Sequence, residues 1–361
     1  MRILLVMGTS SGGMGRHVQG LVKGLVARGH DAMVACPKEA DDLFGYADTG
    51  ARVVHVPISD RPNPAVDMRN HATLRGLIEG SDVVHAHGLR AGAVCALART
   101  GLSNPLVVTL HNATPDGSWL AGVYNALDRL VASKADMVLC VSSDLENRQR
   151  ELGAKHVASA VIPAPPFEVS ARDRSEVRAE LGIDDDTKLA VVIARLSTQK
   201  GLPVLLNAAN LLRDKGIQFV IAGDGPLRDE LQDDIDNRSL PVRLLGDRRD
   251  VPDLLQAADV VVSSANWEGQ PLALQEALAA GCPIVTTDAG GTAAVVGSAG
   301  VLVPVGDVQA LAAAVDRVLS DPEERADLSR RAKARADALP TIETAVDAAL
   351  QQYENAIAFK A

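Results

Sequence analysis

Short apolar runs alternate along the chain with longer segments of mixed polarity. Residues 2–7, Arg-Ile-Leu-Leu-Val-Met, read as a short buried strand. A glycine-rich turn follows, Gly8-Thr9-Ser10-Ser11-Gly12-Gly13-Met14-Gly15, then a pattern that predicts a helix from about Arg16 to Arg28, ended by Gly29-His30, and a second strand at Ala32 to Cys36. Further strands are predicted at 52–56, 82–86, 106–110 and 135–143, with helices between them. Val161-Ile162-Pro163-Ala164-Pro165-Pro166 then places three prolines in four residues, which no helix interior or central strand accepts, so a hinge and a domain boundary fall here.

The second half repeats the alternation, with strands at 189–194, 219–222, 242–245, 260–263 and 283–286. Each ends in a loop rich in Gly, Asp or Arg, as a doubly wound α/β sheet with its site along one edge requires. From Thr341 to Ala358 the spacing of Ile342, Ala345, Val346, Ala349, Leu350, Tyr353 and Ile357 predicts an amphipathic helix that needs a surface to cover. The expected organisation is a first domain over 1–163, a second over 164–340 and a closing helix over 341–361 that packs back on the first.

Composition sharpens this picture. The 361 residues are 47% hydrophobic but 2% aromatic, so the core must be built of Val, Leu, Ile and Ala, which suits helices packed on parallel sheets. Cys36, Cys95, Cys140 and Cys282 lie far apart with no C-x-x-C pair and read as reduced, buried thiols of a cytoplasmic protein. No apolar run approaches the roughly 20 residues of a membrane span, and Met1-Arg2 leads into a strand rather than a signal peptide. A net charge of −10 argues against nucleic acid as a partner. Residues 1–163 are nearly neutral, with 16 Lys/Arg against 15 Asp/Glu, which leaves room for an anionic membrane or an acidic acceptor at the first domain.

The candidate chemistry centres on Ala265–Leu278. Glu268 and Glu276 stand eight positions apart and would not share a face of one continuous helix. Pro271 suits the first helical position, which puts Glu268 and Gly269 in a loop and Glu276 on the second turn. The free amides of Leu272 and Ala273 then form a helix N-terminus suited to a diphosphate, with one carboxylate available to sugar hydroxyls and the other to ribose. Taken alone, the pair fits equally a helix-start acid and a solvated surface glutamate. Arg195 and Lys200 follow one strand on the same edge, placed to neutralise a diphosphate leaving group. The first glycine loop fails as a dinucleotide site: Gly13-Met14-Gly15-Arg16-His17-Val18 lacks the third glycine, and Cys36-Pro37 stands where an acid would bind ribose. His85, His87 and His111 sit at strand ends. His85 and His87 point to one face of a strand and with His111 could in principle bind zinc, but no carboxylate or cysteine accompanies them at ligand spacing, and His111 fits a structural histidine as well as a functional one.

Gly12-Gly13, His85-Ala86-His87, His111, Arg195 with Lys200, Gly223-Asp224-Gly225-Pro226 and Glu268 with Glu276, in that order, resemble the retaining GT-B glycosyltransferases of family 4. The resemblance implies two Rossmann-like domains facing across a cleft, a nucleotide-sugar donor held mainly by the second, and an acceptor held mainly by the first. It implies catalytic roles for Glu268 and His111, with Glu268 on sugar hydroxyls and His111 near the sugar's 6-hydroxyl. Donor binding would fall to Gly12, Gly13, Arg195, Lys200, Gly246, Gly269, Gln270, Pro271, Leu272, Ala273 and Glu276. It further implies no bound metal, no cofactor beyond the nucleotide sugar, and acceptor choice in loops such as Arg61–His71 and Pro115–Leu120. Gln270-Pro271, Thr292-Ala293-Ala294 and Met14-Gly15-Arg16-His17 depart from common family forms, and these departures bear on the sugar and the acceptor.

Overall fold

The computed structural model describes residues 1–10, 12–59, 64–113, 121–164, 166–168, 170, 172–184 and 186–360. Residues 61–63 and 115–120 of the expected acceptor loops, and Pro165 of the proline run, lie outside the described residues. The chain forms two compact units, Met1–Pro163 with Pro340–Ala361, and Ala164–Leu339.

The first unit contains β1 (Arg2–Met7), β2 (Asp31–Cys36), β3 (Arg52–His55), β4 (Val83–His87), β5 (Leu106–Leu110), β6 (Met137–Cys140) and β7 (Val157–Ser159). They pair in the order β3-β2-β1-β4-β5-β6-β7, every pair parallel. The second contains β8 (Lys188–Ile193), β9 (Ile217–Ala222), β10 (Val242–Gly246), β11 (Val260–Ser263), β12 (Ile284–Thr287) and β13 (Gly300–Val303), in the parallel order β10-β9-β8-β11-β12-β13. The unbroken apolar runs follow from cover on both faces. In β8, Leu189 and Val191 join one helix-backed core while Ala190 and Val192 join the other, the period of two that a pleated strand imposes. The edge strands β7 and β13 are too short, at three and four residues, and too exposed for the apolar pattern to reveal them.

Strand order reverses beside the first strand of each sheet, between β1 and β4 and between β8 and β11. At such switch points the loops leaving the carboxyl ends diverge to opposite faces and open a crevice for ligands. His87 ends β4, Arg195 follows β8, and the Glu268 loop follows β11.

The first helix spans Gly13–Ala27, so it begins three residues before the expected Arg16. The amides of Gly15 and Arg16 already donate to Gly12 O, and a Cβ on Gly15 would lie 2.1 Å from the Phe44 ring. Gly15 is therefore a packing position within the first turn rather than part of the loop. The closing helix, Ile342–Ala358, belongs to the first unit and buries Ala345, Val346, Ala349, Tyr353 and Ala356. It lies against Gly20 and Gly24 of the first helix, where added Cβ atoms would stand 2.7 Å from Ile342 Cδ1 and 2.4 Å from Val346 Cγ2. Arg28 adds an ion pair to Asp347 at 2.9 Å.

Candidate active site

In the second unit the loops after β8 and β11 leave neighbouring strands and are joined along their length. The backbone amide and side-chain amide of Asn266 donate to Gln199 O and Thr198 O, both at 2.8 Å. Gln199 Nε2 donates to Trp267 O at 3.0 Å, and Ser264 Oγ to Lys200 O at 3.0 Å. Gly201, at φ +59°, makes the approach feasible, because a Cβ there would sit 2.1 Å from Ser264 O. Lys200 Nζ donates to Glu268 Oε1 in an ion pair, and Glu268 is only 8% exposed. From the other side Gly291 N donates to Glu268 O at 2.8 Å. Glu268 is thus not the open loop carboxylate that its position before a helix suggests. It is buried, paired with Lys200 and fixed from two neighbouring loops.

Arg195 differs: it is exposed and makes no ion pair among the described residues. Its loop is supported by Gly223-Asp224-Gly225-Pro226. Cβ atoms on Gly223 and Gly225 would lie 2.0 Å from Ala194 O and 2.4 Å from Leu196 O, while Leu196 N donates to Asp224 O and Leu227 N to Leu196 O. Gly246, expected among the donor-binding residues, accepts the Gly223 amide at 2.7 Å and so supports this same buttress.

Gly269 is buried and Gln270 half-buried, and they lead into the helix Leu272–Ala280. Pro271 precedes this helix as its capping residue (φ −68°, ψ 104°) instead of opening it. Its carbonyl already accepts the amides of Leu274 and Gln275, which pulls the first turn one residue later. The amides of Leu272 and Ala273 have no backbone acceptor among the described residues, at the end of the helix that carries positive potential. Glu276 lies one turn further on, half-buried.

In the first unit Gly12 and Gly13 start the helix that carries His17. His17 packs against His87 and His111 with ring centroids 5.7 Å from each, and His87 Nδ1 lies 3.2 Å from His111 Nε2. The His85 ring packs against that of His87 with centroids 4.1 Å apart and the planes tilted by 37°, and its two nitrogens meet Tyr353 Oη and Thr109 Oγ1, each at 2.7 Å. His17 was not anticipated as part of this group. The available signal was a histidine on the helix face that also carries Val18, Leu21, Val22 and Leu25. No group of three or more His, Cys, Asp or Glu among the described residues is arranged to hold a metal ion. The four cysteines are buried and unpaired, and burial pushes their thiols up to about 12.

Burial lowers His17 to about 4 and His85 to about 3, and holds His87 and His111 well below the ordinary value of 6.5. The unfolded chain therefore takes up protons below pH 6.5 that the folded unit refuses. Stability is fully present above pH 6.5 and falls as the pH drops towards 4, by roughly 3 kcal/mol for His17 alone. All eight histidines lie between residues 17 and 156, so the second unit has no part in this loss. Hydrogen exchange at pH 7 and pH 5 is expected to show lost protection in β1–β6 and unchanged protection in β8–β12. Equal loss in both units would refute the assignment.

Two parallel sheets, each with polar side chains at its switch point, define a two-domain Rossmann-like α/β fold. Comparison with known proteins narrows this class. Residues 12–165 match the glycosyl transferase 4-like domain and residues 173–335 the glycosyl transferases group 1 model. The chain is 30% identical to glycogen synthase of Mycobacterium tuberculosis over 382 aligned positions, covering 92% of this chain and 89% of that one. It is 29% identical over 311 residues to the UDP-Gal:alpha-D-GlcNAc-diphosphoundecaprenol alpha-1,3-galactosyltransferase of Escherichia coli, with 79% of each covered. Among solved structures, Anabaena HepE in complex with UDP and glucose superposes with a TM-score of 0.83 at 22% identity, covering 98% of this chain and 99% of that one. The chain belongs to the family 4 glycosyltransferases, glycosyl transferases group 1, and has the GT-B fold. No helix among the described residues is long and apolar enough to cross a membrane.

Proposed function

We propose that this glycosyltransferase moves a hexose from a nucleoside-diphosphate sugar of the UDP or GDP type to an acceptor, with retention of configuration and without a bound metal. The observation that carries this reading is the single edge of the second unit on which exposed Arg195, Lys200 and the amides of Leu272 and Ala273 stand together. Departure of a nucleoside diphosphate builds charge on its phosphates, and preorganised cations and amides stabilise that charge with little reorganisation. Glu276 takes the ribose hydroxyls, Glu268 those of the sugar, and Gly12-Gly13 and His111 the sugar end of the donor. The UDP and glucose of HepE and the UDP-Gal of the Escherichia coli relative support a donor of this kind.

Glu268 orients the sugar rather than attacking it. An ion-paired, buried carboxylate is a poor nucleophile, and retention then proceeds by front-face attack, with the donor phosphate helping to deprotonate the acceptor. The Escherichia coli relative is named for a diphosphoundecaprenol-linked sugar and the Mycobacterium tuberculosis relative for glycogen synthesis, so the acceptor here is left as a small molecule, a glycan or a lipid.

Calorimetric titration with UDP, GDP, ADP and NAD in the presence of chelator tests the reading. Binding of UDP or GDP without metal, lost in Arg195→Ala, is the expected result. Binding of NAD alone would overturn it, and a trapped glycosyl–Glu268 adduct would overturn the front-face mechanism.

A further inference from the structure

The histidine cluster of the first unit contains a proton-placement problem with one economical solution. His87 Nδ1 and His111 Nε2 lie 3.2 Å apart, so one nitrogen donates and the other accepts. His87 Nε2 is buried and has no partner among the described residues. His85, whose ring centroid lies 4.1 Å from that of His87, cannot supply one, because Tyr353 Oη and Thr109 Oγ1 occupy both its nitrogens. Burial keeps His87 and His111 neutral, so each ring carries one proton.

If His111 Nε2 donated, the proton of His87 would be forced onto Nε2, a buried N–H with no acceptor. Such orphaned donors are rare because the full desolvation cost is left uncompensated. With His87 donating, Nε2 of His87 is left as a bare lone pair, and an acceptor without a donor is the cheaper alternative. We propose that His87 fixes the tautomer of His111: its Nδ1–H donates to His111 Nε2, which places the one ring proton of His111 on Nδ1 and makes that atom a hydrogen-bond donor. His111 is half-buried, and the bond to His87 engages its Nε2, so Nδ1 is the ring atom left to address a ligand. His87 is then a positioning residue acting through His111, and the Tyr353–His85–Thr109 set is the platform on which its ring rests.

This inference rests on the transferase reading only for what His111 addresses, a hydroxyl oxygen of the donor sugar. The tautomer itself is a property of the free protein. Long-range proton–nitrogen correlation spectra of the full chain, labelled with nitrogen-15 histidine and without nucleotide at pH 7.5, should show both His87 and His111 protonated on Nδ1. In His87→Phe, which keeps the ring but removes the donor, His111 should shift towards the Nε2–H form that a free histidine side chain prefers. Its kcat should fall while nucleotide affinity stays unchanged. His111 protonated on Nε2 in the native protein, or unaltered in His87→Phe, would overturn the proposal. Should His87→Phe fail to fold, the native spectrum alone decides. Failure to bind any nucleoside diphosphate would defeat the transferase reading and leave this assignment standing.

Discussion

Lys200→Ala is expected to lower sugar transfer by about 10²–10³-fold, the range seen when one preorganised charge-stabilising donor is removed. The loss has two sources. One cation disappears from the edge proposed to receive the diphosphate, and Glu268 loses its ion-pair partner in a site where its side chain is only 10% exposed. Breaking a buried pair from one side is destabilising by about 3–5 kcal/mol, and the 24% exposure of the Lys200 side chain places this case towards the lower end. Lys200→Ala/Glu268→Gln separates the two effects. If the pair is structural as well as functional, the double variant unfolds at a higher denaturant concentration than Lys200→Ala while remaining as poor in nucleotide affinity. Equal stability of the two variants would show that Glu268 does not depend on Lys200.

Gly290→Ala is expected to remove most activity without touching a charged group. Gly290 has φ +56°, and a Cβ there would stand 2.2 Å from Glu268 O and 3.0 Å from Trp267 Nε1. The obstruction on one side is backbone, so the loop must move, and a displacement of about 1 Å at a reacting centre can cost roughly 100-fold. Left-handed backbone alone costs an alanine about 1–2 kcal/mol. Gly306→Ala supplies the control: φ is +78°, yet nothing lies within 4 Å of the added Cβ. Steady-state rates and thermal midpoints should show activity loss and the larger destabilisation in Gly290→Ala, and only the left-handed cost, with activity retained, in Gly306→Ala. Comparable activity in the two would mean that the Glu268 loop tolerates displacement.

The architecture was largely legible in the sequence because strands covered on both faces announce themselves as apolar runs. The predicted and observed limits of β5 and β11 coincide, and glycine and charge mark the loops at their ends. Arg195, Lys200 and Glu268 could be nominated by residue type and by position after a strand. Their relation to one another could not: Lys200 and Glu268 are 68 positions apart, and only the adjacency of β8 and β11 brings them into contact. The role of the Gly223–Pro226 loop was likewise hidden, since a glycine required by close backbone approach looks the same as one that admits a ligand. His17 escaped for a third reason. A histidine among apolar positions on a helix gives no sign of which side chains it will meet until β4 and β5 place His87 and His111 beside it.

The return of Ile342–Ala358 to the first unit has a consequence for how the molecule is made. The first unit is discontinuous in sequence, with the whole of 164–339 inserted between its sheet and its last helix. As the chain leaves the ribosome, the second unit is complete before the first. Until residues 342–358 are synthesised, Gly20 and Gly24 present an uncovered apolar groove and His85 lacks the Tyr353 hydroxyl. The nascent first unit therefore waits, partly open and exposed to chaperones and proteases, for a helix encoded some 180 residues after its last strand, and premature termination anywhere in the second unit leaves the first unfinished as well.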